Sequence, residues 1–371
     1  MARERFSAVY LLSGPKRQAL SRAQDICYEQ TVELPDDLIP CEFIKKNVLG
    51  NIESFKKSGS AFKAEISYPV EAAASELSQL INVIFGNISL KTGIRLEYLD
   101  LSDRFLKAFS GPGFGVRGLR KKLGIFKRPL LCTALKPMGL SSRDLAKLAY
   151  QFALGGMDII KDDHGLTNQC WAPFKERVEL CTSAIREANK KTGFTSVYAA
   201  NITASLVEIK KRALCAKRAG AGVLMMAPGI TGFDVMRDVA GDKKIGLPVI
   251  SHPAFAGSFM ASQNSGLSHY CFFGQLNRLA GADAAIFPNY GGRFSFSPKE
   301  CRSIVRGCCD RMGHIRTIFP CPGGGMSLKR VRQMCDFYGP DVIFLIGGGL
   351  MRGNVVSNCL TLRSLVFADR A

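Results

Sequence analysis

Four consecutive residues, Lys161-Asp162-Asp163-His164, set an amine, two carboxylates and an imidazole at the end of an apolar run. Carboxylate oxygens suit a hard cation such as magnesium, which tolerates the histidine that transition metals prefer. The bland alternative is a charged loop capping the next helix. Lys161 argues against it, because an amine that closes a buried strand is costly unless paired or modified. Lys136 closes a neighbouring apolar run, Leu130 to Leu135, and poses the same problem. Desolvation beside a second cation would lower its pKa toward that of a usable general base. A third feature is the pair of glycine tracts, Gly323-Gly324-Gly325 and Gly347-Gly348-Gly349. Such tracts let backbone N–H groups cradle an anion, although one alone would read as a flexible turn.

These residues need a scaffold, and the chain supplies one from about residue 129 onward. Short, doubly apolar runs recur at Leu130–Leu135, Met157–Ile160, Ser196–Ala200, Gly222–Ala227, Leu247–Ile250, Ala284–Phe287, Ile315–Phe319 and Val342–Ile346. Helical patterns such as Ser142 to Leu154, Pro173 to Asn189, Val207 to Arg218 and Leu328 to Tyr338 lie between them. Strands buried on both faces read as continuous apolar runs, so this is a parallel sheet with crossover helices. Eight evenly repeated units favour a closed (β/α)₈ TIM barrel over an open doubly wound sheet. A barrel's chemistry sits at the C-terminal ends of its strands, which is where Lys136, Lys161, Asn201, His252 and Asn289 fall. The two glycine tracts follow strands seven and eight, where barrels commonly bind phosphate. His269 and His314 read as surface residues, and Met157 as core.

Residues 1–128 mix strands and helices without strict alternation, as expected of a small α+β (ferredoxin-like) domain. A strand-like Phe6 to Leu12 leads into a helix from Lys16 to Cys27, a strand-like Thr31 to Leu34 and an extended Ser60 to Tyr68. A helix from Pro69 to Phe85 and a strand from Arg95 to Leu101 follow. The division is therefore 1–128 for the α+β domain and 129–371 for the catalytic barrel.

Composition narrows the function. The chain has 371 residues, 47% of them hydrophobic, enough to bury a sizeable core. Thirteen cysteines include no Cys-x-x-Cys pair and no zinc-site spacing with the histidines, so they read as cytosolic thiols. The net charge of +19 gathers at Arg117 to Arg128 and Lys210 to Arg218, but neither run carries an aromatic stacking platform. Attraction of an anionic substrate explains the charge without nucleic acid. No signal peptide or membrane span is legible, so a cytoplasmic protein without a membrane partner is expected.

Five segments together carry a resemblance. They are Arg128-Pro-Leu-Leu-Cys-Thr-Ala-Leu-Lys-Pro-Met-Gly-Leu-Ser, Gly155-Gly-Met-Asp-Ile-Ile-Lys-Asp-Asp-His, His252-Pro-Ala-Phe-Ala-Gly, Leu279-Ala-Gly-Ala-Asp and Leu345-Ile-Gly-Gly-Gly. With them the chain resembles the ribulose-bisphosphate carboxylase large subunits, and more closely the non-carboxylating RuBisCO-like (form IV) proteins. The resemblance implies that Lys161 becomes a carbamate and binds Mg2+ together with Asp163. It implies that Lys136 serves the enolisation step, that His252 is the strand-five active-site histidine, and that Gly323, Gly324, Gly347 and Gly348 bind phosphate. It further implies a homodimer with shared active sites, in which Glu29 and Asn87 reach into the partner's site.

Departures from the carboxylases are equally informative. The second metal carboxylate is His164 here, the lysine two places after Lys136 is Met138, and the arginine for a second phosphate is Pro253. The strand-six loop, Asn289-Tyr-Gly-Gly-Arg293, lacks the lysine that steadies the CO2-derived carboxylate. The resemblance then implies a monophosphorylated keto sugar or 3-oxo sugar acid and no net CO2 fixation. The salvage enolases carry a base lysine where Asn87 stands. The first expectation is therefore a decarboxylase of the 3-oxo-isoapionate-4-phosphate type. The alternatives are an enolase or isomerase of methylthio-ketose phosphates in methionine salvage, and a non-catalytic binding or regulatory barrel.

Overall fold

The computed structural model describes residues 4–292, 294 and 296–367; Arg293 of the strand-six motif lies outside the described residues. Alternating polar and apolar residues in Arg5–Leu12 (β1) suit a sheet with one buried face. Ala61–Pro69 (β3) and Ile94–Asp100 (β4) flank β1 in antiparallel pairs, and Asn51–Ser58 (β2) pairs antiparallel with β3 at the edge. Helices Lys16–Glu29 and Leu77–Phe85 cover the sheet with Ala19, Ala23, Ile26, Leu77, Leu80 and Ile84, all fully buried.

Two expectations for this region need correction. Thr31 to Leu34 is not a strand: the backbone N–H groups of Val32 and Glu33 turn back onto the Tyr28 carbonyl. The strand is β2 instead, whose exposed, polar sequence hid it. The helix expected from Pro69 to Phe85 is broken. A 3-10 turn, Val70–Ala73, ends at Ala74 and Ser75, both left-handed at φ 48° and 58°, before Leu77 starts the true helix. A left-handed non-glycine pair carries little sequence signal, because such backbone is rare.

The barrel consists of Leu130–Leu135 (β5), Ile159–Asp162 (β6), Val197–Asn201 (β7), Val223–Met226 (β8) and Val249–Ser251 (β9), closed by three later strands. Gly266–Leu267 (β10) lies outside it, and Ala284–Pro288 (β11), Phe319–Gly323 (β12) and Ile343–Leu345 (β13) complete the ring. All neighbouring pairs run parallel. Inward side chains such as Leu130, Cys132, Ile159, Val223, Met225, Ile250, Phe319 and Cys321 fill the interior. Helix Gly115–Leu123 plugs the lower end with Val116, Leu119 and Leu123.

Strand seven begins later than the run Ile315 to Phe319 suggested. The carbonyls of Ile315 and Arg316 are taken by the buried Arg278 guanidinium, at 2.8 and 3.0 Å, so that stretch is loop.

The short β10 strand leaves the barrel after β9 and pairs in parallel with β4, giving the sheet order β10-β4-β1-β3-β2. Ser268 N–H adds a bond to the Leu96 carbonyl, and the Gln275 amide clamps the Leu99 backbone at both N and O. This excursion buries His269, against the surface position read from the sequence, whereas His314 is exposed as expected, with Nε2 3.0 Å from the Phe109 carbonyl. All thirteen cysteines are free thiols. Among the described residues no helix is long and apolar enough to cross a membrane.

Candidate active site

A strand's side chains alternate between its two faces, and β6 uses both for the site. Ile159 and Lys161 point into the barrel, whereas Asp162 points outward to helix Phe174–Thr192. There Asp162 accepts from Arg177 Nε at 3.1 Å, Arg177 Nη2 at 3.3 Å and the Asn201 backbone N–H at 3.0 Å, and also from the Tyr198 hydroxyl. Asp162 is therefore a strut and not a ligand. Its neighbours Lys161 and Asp163 are left facing the mouth. Asn201, at the end of β7, donates to the carbonyls of His164 and Leu166 and pins the loop that carries the histidine.

Lys161 is only 2% exposed and rests over the thiols Cys132 and Cys321, its Nζ donating to the Asp162 carbonyl at 2.9 Å. Burial pushes its pKa down, and Lys136 adds to the effect. Lys136, by contrast, has a side chain 38% exposed and places Nζ 3.1 Å from Asp163 Oδ1. Lys161 is thus desolvated, as its place at the end of an apolar strand implies, whereas Lys136 on the neighbouring strand stays partly exposed.

Burial opposes the ionised Asp163 carboxylate. The His164 imidazole, 3.4 Å away, and the Lys136 ammonium outweigh it and hold its pKa well below the usual range. His164 stacks on His252, with ring centroids 4.8 Å apart and planes within 9°. Burial first, then the nearby Lys161 amine and His164 imidazole, push the pKa of His252 well below its ordinary value. Its Nδ1 accepts the Ala254 N–H at 3.1 Å, so the ring proton sits on Nε2.

These residues line one cavity of about 920 Å³ at the C-terminal mouth of the barrel, together with the loops at Gly323–Gly325 and Gly347–Gly349. Gly324 and Gly325 have φ of 75° and 68°. A Cβ on Gly325 would lie 2.3 Å from Gly292 Cα, so the strand-six and strand-seven loops meet only through glycine. Arg330, which sequence reasoning passed over, reaches the carbonyls of Tyr290, Gly291 and Gly325 and ties the same two loops together. A Cβ on Gly348 would meet nothing within 4 Å, leaving its backbone open to the cavity.

Two further residues were missed. His269 and Glu300 line the strand-five and strand-six side of the cavity, among Met260, Phe273 and Phe296. Glu29 and Asn87, nominated for the site, do not line the cavity of their own chain. They meet each other instead, Asn87 Nδ2 donating to Glu29 Oε1 at 3.1 Å and to Glu33 Oε1 at 3.2 Å on an exposed patch.

Among the described residues no group of three or more His, Cys, Asp or Glu side chains is placed to hold a metal ion. Asp163 and His164 supply one carboxylate and one imidazole. Lys161 becomes a third ligand only if its amine is converted to a carbamate, and a buried amine of lowered pKa is suited to react with CO2. The donor set therefore fits a divalent cation on that condition.

The family described as ribulose bisphosphate carboxylase large chain, catalytic domain, matches residues 115–293. The 5-methylthioribulose-1-phosphate isomerase of Rhodospirillum rubrum is 36% identical over 350 residues, covering 94% of this chain and 92% of that protein. The 2,3-diketo-5-methylthiopentyl-1-phosphate enolase of Bacillus licheniformis is 34% identical over 352 residues, covering 92% of this chain and 86% of the enolase. The crystal structure of the Rubisco-like protein from Rhodopseudomonas palustris superposes with a TM-score of 0.89 at 34% identity, over 99% of both chains.

Proposed function

This chain belongs to the ribulose-bisphosphate carboxylase large-chain family as a RuBisCO-like (form IV) protein, and from that premise we propose that it enolises a monophosphorylated ketose without fixing CO2. One observation carries the reading: Lys136, Asp163, His164 and His252 converge on a cavity whose rim contains two glycine loops. The glycine backbone holds the single phosphate. Lys136 Nζ handles the proton on the carbon beside the carbonyl, and His252 Nε2–H donates to the oxygen on which negative charge develops.

Asp163, His164 and Lys161 as a carbamate would hold a divalent cation, magnesium first. The chemistry such a cation supplies when bound is Lewis-acid polarisation of the substrate carbonyl. A copy of the chain pairing head to tail would bring the Glu29–Asn87 patch over the partner's mouth, so we assign a homodimer with shared sites.

Isomerisation or tautomerisation of a methylthio-ketose phosphate takes precedence over the sugar-acid decarboxylation first expected from the sequence. The isomerase and the enolase match this chain over nearly its whole length. In addition, the Glu300 carboxylate in the cavity wall would repel a second anionic group placed against it. The test follows the purified protein with Mg2+ and bicarbonate in D2O, offering 5-methylthioribulose 1-phosphate and, separately, 3-oxo-isoapionate 4-phosphate. Carbon-bound proton exchange from the ketose is expected, with no CO2 from the acid. Lys136→Ala should slow exchange by about 10²- to 10⁴-fold while ketose binding persists. CO2 release without exchange would restore decarboxylation, and failure to bind any sugar phosphate or metal would leave only the binding-barrel reading.

A further inference from the structure

The strand-five and strand-six side of the cavity contains a polar pair inside an apolar lobe. Glu300 is the N3 residue of helix Pro298–Cys309, and its Oε2 accepts both the backbone N–H and the hydroxyl of Ser297, at 2.7 and 2.8 Å, in a capping box. That arrangement leaves Oε1 turned toward His269 Nε2, 3.8 Å away. The other ring nitrogen of His269, Nδ1, lies 3.4 Å from Arg95 Nη2. A guanidinium only donates, so Nδ1 must accept and the ring proton sits on Nε2. Phe296 stands edge-on to the same ring at 4.7 Å and fixes its plane. The cavity wall thus presents an N–H donor and a carboxylate acceptor 3.8 Å apart, too far to bond well to each other. A single hydroxyl oxygen about 2.8 Å from both would complete that triangle, accepting from Nε2–H and donating to Oε1.

We propose that His269 and Glu300 form a specificity subsite for one substrate hydroxyl on the side of the reacting carbons remote from the phosphate. The proposal rests on the ketose-phosphate reading above. In a ketose 1-phosphate the phosphate lies in the glycine loops and the carbons that enolise, C2 and C3, lie over Lys136. The next polar group along the chain is the C4 hydroxyl, followed by a C5 substituent that the lobe of Met260, Phe273 and Phe296 would enclose. The pair also explains how the cavity dispenses with a second phosphate. Where a cation would invite one, Glu300 sets a carboxylate that accepts a hydroxyl proton and repels an anion.

The experiment measures calorimetric binding of 5-methylthioribulose 1-phosphate and of its 4-deoxy analogue to the full chain loaded with Mg2+ and bicarbonate. Wild-type protein should bind the hydroxylated ligand about 10- to 100-fold more tightly, the usual range for one hydrogen bond to a charged group. Glu300→Gln keeps the capping box, since glutamine serves at N3, and should cut that preference to about twofold with the 4-deoxy affinity unchanged. His269→Phe should do the same, and if it fails to fold, Glu300→Gln decides alone. Equal binding of the two ligands by wild-type protein, or a preference that survives Glu300→Gln, overturns the subsite and leaves the enolisation reading standing. Failure of both ligands to bind overturns the ketose-phosphate reading and the subsite together.

Discussion

Replacing Arg177 by methionine would strand a carboxylate in a place water does not reach. The Arg177 and Asp162 side chains are both 0% exposed and bond through two contacts, at 3.1 and 3.3 Å. The same guanidinium also donates to the carbonyls of Ala172 and Thr167. Removing one partner of a buried pair costs about 3–5 kcal/mol, because the remaining charge is left uncompensated. The Tyr198 hydroxyl and the Asn201 N–H still serve Asp162, which argues for the lower half, about 3–4 kcal/mol. Urea unfolding of Arg177→Met should show this as a lowered midpoint at unchanged slope. The double variant Arg177→Met with Asp162→Asn should lose less than the sum of the single changes by about 1–3 kcal/mol, since neither charge is then stranded. Activity should fall with stability, because Lys161 and Asp163 flank Asp162 on the same strand end. A loss under about 1 kcal/mol for Arg177→Met, or strict additivity in the cycle, would refute the assignment of Asp162 as a charged strut.

Other expectations can be checked one by one. Burial, helped by Arg95, pushes His269 down to about 4, so the folded chain holds a neutral ring that the unfolded chain would protonate below about 6.5. Stability from this group is therefore complete above pH 6.5 and lost as pH falls toward 4, by up to about 3 kcal/mol; His269→Phe should flatten that slope in unfolding measured against pH. Titration with Mg2+ should show binding at least about tenfold tighter with bicarbonate than without, and Lys161→Met should abolish the difference. If bicarbonate has no effect on the wild type, Lys161 carries no carbamate. Gly348→Ala introduces a Cβ with no neighbour inside 4 Å, so unfolding should shift by less than about 0.5 kcal/mol. The same change crowds the phosphate cradle and should raise KM for the phosphorylated substrate about tenfold.

Much of the scaffold was legible because strands buried on both faces leave unbroken apolar runs, and any charge that ends such a run stands out. Lys136, Lys161 and Asp163 were visible on that basis, as were the glycine loops. What escaped notice depends on contacts distant in sequence. Nothing in Ser268-His269-Tyr270 reveals that a two-residue strand pulls it against the N-terminal sheet and buries the histidine. The outward role of Asp162 needs Arg177, fifteen positions on, and Tyr198 from the next strand. Of the two lysines expected to be buried, Lys161 is and Lys136 is not, because exposure at a barrel mouth is decided by depth. Lys161 sits one layer below Lys136, over Cys132 and Cys321. β2 was missed for the opposite reason: an edge strand with a wet face has no apolar pattern to read.

The pairing of β10 with β4 also sets a timetable. Arg95 and Gly266 are register partners 171 residues apart, so the free edge of β4 waits for five barrel strands to be made before it is covered. At about 5–20 residues per second of synthesis, that edge stays open on the ribosome for roughly 10–30 s. An unpaired strand edge is a template for pairing with other chains. Until Gly266 emerges the β4 edge is open to such pairing, and its cover comes from the far half of the same chain.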